Sequence, residues 1–333
     1  NISIKQRYPI KAKLFNKKLE LKKETYYSSL KIEQDGSKLI LPKQQLEILS
    51  IIEKSPYKDR FFQGATIVPR SLIFFKKKEK KEDSLIISTD PDVLSRAKEK
   101  WTFQFRDKEI EQRFKFKTFL NLDLIPFFIK HMRNIFLPIN EKFELDFDFL
   151  QNYPKALNFY KEMNKIYQQN KKKTSDINTL FENINYWNKL QKQIKNKSFI
   201  VVYNASGSTL KAAVINNEKQ QIIVGSENYY YSTDSENEAY YLSAFLNNPN
   251  LSKKIKLIKS SRHIHKRPFL FPIPLYDKSN PLHKQLAKTG KKCELYVYDL
   301  FMNNPNLSSE KVKMFLHQKL KKIQNITKQV FSE

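Results

Sequence analysis

The stretch SSRHIHKRPFLFPIPLY (Ser260–Tyr276) decides how this chain is read. It holds two histidines, three strong cations, two phenylalanines and three prolines. Pro268, Pro272 and Pro274 each remove a backbone donor and push the preceding residue toward extended geometry. The segment can therefore be neither a helix nor a central strand. What remains is a stiff, extended, basic ribbon with aromatic residues along it. Between Leu251 and Pro274 the chain carries seven Lys and Arg and no carboxylate. The ribbon reads as part of a surface that meets nucleic acid, and the rest of the chain as its support.

Helix starts flank the ribbon on both sides. Asn248-Pro249 and Asn280-Pro281 each place a cap residue before a proline at the first helical position. Leu251, Ile255 and Ile258 form one buried stripe; Leu282, Leu286, Cys293 and Val297 form another. Ser235–Glu238 (SENE) has the capping-box form and begins a helix that buries Ala239, Leu242, Phe245 and Leu246. Further upstream, Phe199–Tyr203, Thr209–Ile215 and Gln220–Val224 read as three consecutive strands. Asn204-Ala-Ser-Gly207 and Asn216-Asn217 connect them. A last helix is expected from about Ser308, with Val312, Leu316, Leu320, Ile323 and Val330 near heptad spacing.

The N-terminal half is less regular. Thr25–Leu41 has short apolar stretches broken by the turn signal Asp35-Gly36, and a helix-like stretch follows Pro42. Phe61–Phe75 is a strand-rich apolar run, and KKKEKK (Lys76–Lys81) is a solvated hairpin loop or a phosphate contact. Leu85–Ser88 is a short strand, and Asp90-Pro91-Asp92 a turn before a helical stretch. Phe143, Leu145, Phe147 and Phe149 alternate with Glu144, Asp146 and Asp148; such carboxylates can ligate metal, though a polar strand or loop face is the plainer reading. From Pro154 to about Lys195 the chain is expected to be mostly helical. Its stripes are Leu157, Tyr160, Met163 and Tyr167, then Leu180, Ile184, Trp187 and Leu190. The fold class is α+β: a mixed β-sheet core wrapped by helices, with a C-terminal helical tail. The expected division is 1–60 as a connecting segment, 61–305 as the recognition domain and 306–333 as the tail.

Composition narrows the partners. The 333 residues include 25 Phe and 17 Tyr, enough for real cores, and 61 Lys and Arg against 34 Asp and Glu give a net charge of +27. Compositional bias accounts for the excess of Lys over Arg, but not for the shortage of carboxylates. An excess this large in a folded protein points to an anionic partner, most economically a phosphate backbone. A merely solvated surface and a membrane surface are the alternatives. A single cysteine, Cys293, excludes an intramolecular disulfide framework and fits a reducing, cytoplasmic setting. No apolar run approaches the roughly 18–20 residues of a membrane span. The chain begins at Asn1 rather than Met, so it is expected to be part of a longer protein.

The chemistry of cofactor enzymes is missing. There are five glycines and no Gly-rich phosphate loop, and no nucleophile elbow appears. His263-x-His265, with His283 and Cys293 nearby in sequence, makes a metal site conceivable; in an extended segment the two histidines share a face, which suits stacking or phosphate contact equally well. Asp92, Glu99 and Lys100 match the carboxylate–lysine pattern of metal-dependent nucleases only loosely. What remains is recognition chemistry, in which Lys and Arg clamp phosphates and short polar side chains reach base edges.

Four stretches taken together carry a family resemblance. GATIVPRSLIFF (64–75), VVYNASGSTLKAAVI (201–215), EAYYLSAFLNNP (238–249) and the ribbon with its sequel to Gly290 stand in the order and spacing found in one family. This set resembles the C-terminal target-recognition region of N6-adenine DNA methyltransferases from restriction-modification systems, including enzymes fused to an endonuclease. The resemblance implies double-stranded DNA as partner and S-adenosylmethionine as cofactor of an upstream methyltransferase domain. The family's Asn/Asp-Pro-Pro-Tyr/Phe tetrapeptide and its Gly-rich turn are both absent here, so no catalytic, cofactor-binding or metal residue is assigned. Arg70, Arg262, His263, His265, Lys266 and Arg267 are the expected DNA contacts. Asn204, Ser206 and Ser208 are candidate base readers at a strand-end turn, where ordinary turn chemistry is the alternative. The alternatives for function are an RNA-binding, splicing-type basic protein and a metal-dependent nuclease.

Overall fold

The structure is a computed structural model that describes residues 9–31, 38–49, 53–218, 222–259 and 261–331. At the N-terminus β1 (Ile10–Phe15), β2 (Leu21–Lys31) and β3 (Lys38–Pro42) form an antiparallel sheet in the order β1-β2-β3, followed by α1 (Lys43–Ile48). The Asp35-Gly36 turn expected between β2 and β3 lies outside the described residues.

The run from Phe61 to Phe75 is extended, but little of it is strand. It pairs at β4 (Phe62–Gln63) and through a single bridge from Ala65 to Gly225, makes one 3-10 turn at Arg70–Leu72 and enters β5 at Phe74. The KKKEKK run is not a loop either, since β5 spans Phe74–Lys80 and returns through β6 (Ser84–Thr89). Its lysines are exposed strand positions: Phe74 and Phe75 are buried and Lys76–Lys80 are not.

The chain continues through α2 (Pro91–Leu94), β7 (Lys108–Glu111), β8 (Lys115–Thr118), β9 (Leu124–Ile125), β10 (Phe128–Ile129) and β11 (Arg133–Phe136). Five of these strands make an antiparallel sheet in the order β7-β6-β5-β11-β8. The alternating stretch after it does not continue as a strand. Phe143 has a positive φ of 59°, and the Asp146 side chain accepts a hydrogen bond from Phe149 N (3.0 Å), capping α3 (Phe147–Gln151). That carboxylate serves a helix start.

Next come α4 (Pro154–Asn170) and α5 (Leu180–Ile184), which close over one face of this sheet. The first apolar stripe holds, with Tyr160, Met163 and Tyr167 buried. The second fails at Trp187, whose φ of 57° breaks the helical path and leaves the indole 69% exposed. Thr179 and Glu182 close a true capping box on α5.

The second half is built on β12 (Phe199–Asn204), β13 (Ala212–Asn216) and β14 (Asn228–Thr233), in an antiparallel sheet of order β13-β12-β14-β4. The third strand is thus Asn228–Thr233 and not Gln220–Val224. Of the latter, residues 220 and 221 lie outside the described set. Ile222 makes an isolated parallel bridge to Lys117, and Ile223 N donates to Lys117 O (2.8 Å), so this run joins the two sheets. The named ladders are all antiparallel, and parallel pairing is confined to isolated bridges.

Helix α6 (Glu236–Leu246) packs on β12, β13 and β14; α7 (Pro249–Ile258), α8 (Pro281–Asn303), α9 (Ser309–Phe315) and α10 (His317–Val330) complete the layer. The caps at Ser235, Asn248, Asn280 and Ser308 all form. At Ser235 the box is only half made. The Glu238 carboxylate instead accepts from the hydroxyls of Tyr57, Tyr231 and Thr233. Gly290 lets α8 approach α6, because a β-carbon there would meet Tyr240 O at 2.5 Å. The C-terminal tail docks within the chain: Val312, Leu316, Leu320, Ile323 and Val330 join the core that holds α6, α8 and the ribbon. The fold is α+β.

Candidate nucleic-acid interface

The ribbon divides its residues by chemistry. Ile264, Phe269, Phe271 and Ile273 are buried in the core, while Arg262, His263 and His265 are exposed and Lys266 and Arg267 half-buried. The ribbon is not extended throughout: His265 takes a positive φ of 47°, and Arg267–Leu270 forms a 3-10 turn, which Pro268 permits. The scarcity of internal backbone bonds is met from elsewhere. Ser55 N donates to Phe269 O (3.0 Å) and Ser55 Oγ to Ile273 O (2.7 Å). Tyr241 Oη donates to Pro274 O (2.9 Å), and Tyr276 N to Tyr57 Oη (3.0 Å). The ribbon is pinned from Phe269 to Tyr276.

The loop after β12 is shaped by Asn204. This residue is fully buried; its Nδ2 donates to Ser206 O (2.8 Å) and Thr209 O (3.0 Å), and its Oδ1 accepts from Lys211 N (2.8 Å). With its carboxamide spent inside the turn, Asn204 holds the loop rather than presenting a base-reading group. Gly207 sits at φ 145°, where a β-carbon would also strike Asn204 Nδ2 at 2.8 Å. Ser206 is half-buried and Ser208 exposed, so these are the loop's outward polar groups.

Loop and ribbon, some 55 residues apart in sequence, meet edge to edge. Ser206 and His263 form an antiparallel bridge. Gly207 N donates to Arg262 O (2.8 Å), and Ile264 N donates to Ala205 O (2.8 Å). Lys259 Nζ donates to the carbonyl of Gly207, and Tyr203 Oη to His265 O (3.0 Å). Seven expected contacts from two separate stretches (Ser206, Ser208, Arg262, His263, His265, Lys266 and Arg267) thus occupy one continuous piece of surface.

Arg70 stands beside this unit and reaches it through an acid. Its guanidinium pairs with Glu227 Oε1, whose Oε2 accepts from Asn121 N (3.1 Å). The backbone carbonyl of Glu227 takes Ala205 N (2.8 Å), and Asn121 Nδ2 donates to Ser206 O (3.3 Å). Arg70 is partly neutralised. By contrast, among the described residues Arg262, Lys266 and Arg267 have no carboxylate in an ion pair with them.

The rings and charges of the ribbon are ordered. The imidazoles of His263 and His265 stack at 5.1 Å with an interplanar angle of 15°, and Arg267 Nη1 donates to His263 O (2.9 Å). Burial, then the neighbouring His263 and Arg267, hold the His265 pKa below its ordinary value. Lys266 Nζ lies 5.8 Å from the ring centre of Phe62, itself 45% exposed, and burial lowers its pKa. An anion would relieve these like-charge costs.

Several positioning residues escaped the sequence reading. Lys259 lies off the apolar stripe of α7, and Asn121 and Glu227 carry no local signal at all. Phe62 was part of a supposed strand run, and its exposure is the cue that it serves a surface.

The metal and nuclease readings do not assemble. His283 Nδ1 accepts from Asp277 N (2.9 Å) at the start of α8, and Cys293 is buried, its thiol pushed up to about 12 by burial. Asp92 pairs with Arg133, and Lys100 donates to Asn170 O (3.0 Å). Among the described residues no group of three or more His, Cys, Asp or Glu is placed to hold a metal ion. Nor is any helix there long and apolar enough to cross a membrane. Of the described glycines, Gly64 is packed against the backbone of Val224 and Gly225, and Gly290 against that of Tyr240.

No protein-family model matches the chain, and no curated protein matches it. Among solved structures it is similar to the Type IIL restriction-modification enzyme MmeI in complex with DNA, at 9% identity and a TM-score of 0.49, covering 97% of this chain and 42% of that one. It is also similar to the type IIG restriction endonuclease BpuSI, at 12% identity and a TM-score of 0.36, covering 85% of this chain and 32% of that one. The chain spans less than half the length of either enzyme.

Proposed function

We propose that this chain is the DNA-recognition part of a site-specific adenine N6-methyltransferase of a restriction-modification system. Catalysis and S-adenosylmethionine belong, in this reading, to a domain upstream of Asn1. The observation that carries it is the junction of the 204–209 loop with the 262–267 ribbon. Cations without an ion-pair partner among the described residues adjoin short polar side chains there, on a pinned backbone. Phosphate clamps and base-edge readers are needed side by side for sequence-dependent binding. Three of the four stretches of the family resemblance support it too, since the β12–β13 hairpin, α6 and the ribbon share one core; the fourth, 64–75, leaves the edge of that sheet and enters β5 of the other.

In this arrangement Arg262, Lys266 and Arg267 hold the phosphate backbone and set the register. Ser206 and Ser208 face the groove, and His263 and His265 supply donors. The chain supplies address, and the chemistry lies elsewhere. Binding of duplex DNA and of structured RNA, compared across a salt series, tests this assignment. Tighter binding of duplex DNA is expected; a clear preference for RNA would sink it.

A further inference from the structure

A cleft of about 510 Å³ opens between the Val68–Ser71 turn, the segment after α2 and the C-terminal end of α4. Its size falls within the range of small-molecule sites, roughly 300–1,000 Å³. Six cations line it (Arg70, Arg96, Lys98, Lys100, Lys171 and Lys172) and no carboxylate does. Lys100 and Lys171 donate only to neutral oxygens, of Asn170, Ser175 and Asn178. Arg96, Lys98 and Lys172 have no ion-pair partner among the described residues, and the buried Nε of Arg70 has no hydrogen-bond acceptor.

The inner wall is of the opposite character. Trp101 and Tyr167 stack at 5.8 Å with 16° between their planes, and Val93 and Leu120 lie beside them. An occupant must bring a planar or apolar body to this wall and negative charge to the rim.

We propose that the cleft binds one nucleotide unit, with its base toward the Trp101–Tyr167 wall and its phosphate among the rim cations. The site is separate from the ribbon and does not rest on the duplex assignment, although Arg70 borders both. The occupant is either a free nucleotide or a nucleotide unstacked from a strand, and both present the same base and phosphate.

Fluorescent N-methylanthraniloyl-AMP titrated into the whole chain at low salt tests this, with AMP, inorganic phosphate and a short single-stranded oligonucleotide as competitors. Saturable binding is expected, with phosphate competing far more weakly than AMP because it lacks the apolar body. Ala97→Phe, which fills the cleft without changing charge, and Lys98→Ala with Lys172→Ala at the rim should each weaken binding by about tenfold. Competition by the oligonucleotide at or below the AMP concentration would support the site as one for a strand. Competition by AMP alone would support it as one for a free nucleotide. Absence of saturable binding, equal competition by phosphate, or variants that bind as the parent does would overturn the proposal. Arg262→Ala with Arg267→Ala should leave AMP binding intact, so this site and the duplex assignment fail separately.

Discussion

Two arginine-centred regions of this molecule treat the same charge in opposite ways. Arg133 is buried against Asp123, which takes its Nε (2.8 Å) and Nη2 (3.0 Å) in a fork, with Asp90 and Asp92 at 3.4 Å from Nη1. Asp123 also accepts Leu120 N (2.9 Å), and Asp90 caps α2 through Asp92 N (3.0 Å). Every charge there has a partner inside the chain. On the ribbon, Arg262, Lys266 and Arg267 have the backbone pinned beneath them and, among the described residues, no carboxylate in an ion pair with them; Asp59, which acts on Lys266 from nearby, pairs with Lys54. A positive charge balanced within the fold serves the fold; one held in place and left unbalanced is available to a partner.

The sharpest way to separate the two regions is to remove a charge from each. Arg133→Ala strands Asp123 and Asp90 in the interior, and breaking one side of such a buried set costs about 3–5 kcal/mol. Thermal melts should show this as a large loss, while any protein that remains folded keeps its duplex affinity. Next in size is Asn204→Ala. It leaves the Thr209 carbonyl and the Lys211 amide without this partner, and Ser206 O with Asn121 Nδ2 in its place, at about 1–3 kcal/mol, and should weaken duplex binding although the residue never reaches the surface. Unchanged binding in this variant would detach the loop from the interface.

The helix starts around the ribbon were legible because caps are local: Asn248, Asn280, Ser235 and Ser308 bond amides two or three residues away. That the ribbon is no α-helix was legible because proline acts on its own neighbours, but that it turns was not: His265 has a φ of 47° and Arg267–Leu270 closes a 3-10 turn. What stayed hidden is what depends on distant partners. The tyrosine run of β14 lost to the more apolar Ile222–Val224, because only the sheet shows which of the two lies beside β12. The acidic alternation around Asp146 has strand periodicity, yet a positive φ at Phe143 and a cap bond turn it into a helix start. Among the candidate residues, Arg262–Arg267 are marked in the sequence by charge and proline. That Asn204 faces inward, and that Lys259 and Glu227 tie the loop and Arg70 together, could come only from the assembled chain.

A smaller effect concerns pH. His265 is held below its ordinary pKa by burial, His263 and Arg267, and a phosphate beside it would raise that pKa. The complex then binds more protons than its separated parts, so affinity rises as pH falls through the imidazole range and declines above it. His265→Gln should flatten this dependence in a binding series at fixed ionic strength. A series that is already flat for the parent chain removes His265 from contact with phosphate. Smallest of all, Ser208→Ala should leave stability within about 0.5 kcal/mol and change the ranking of duplex sequences more than their mean affinity.

The contrast between balanced and unbalanced charge meets its most direct test in the salt dependence of duplex binding. Removing a cation that neutralises one phosphate lowers the slope of log K against log salt by about one unit. Arg262→Ala combined with Arg267→Ala should therefore reduce the slope by about one to two units, with the melting temperature nearly unchanged. A slope equal to that of the parent chain would mean that the ribbon does not touch the phosphate backbone, and the assignment of this surface would fall.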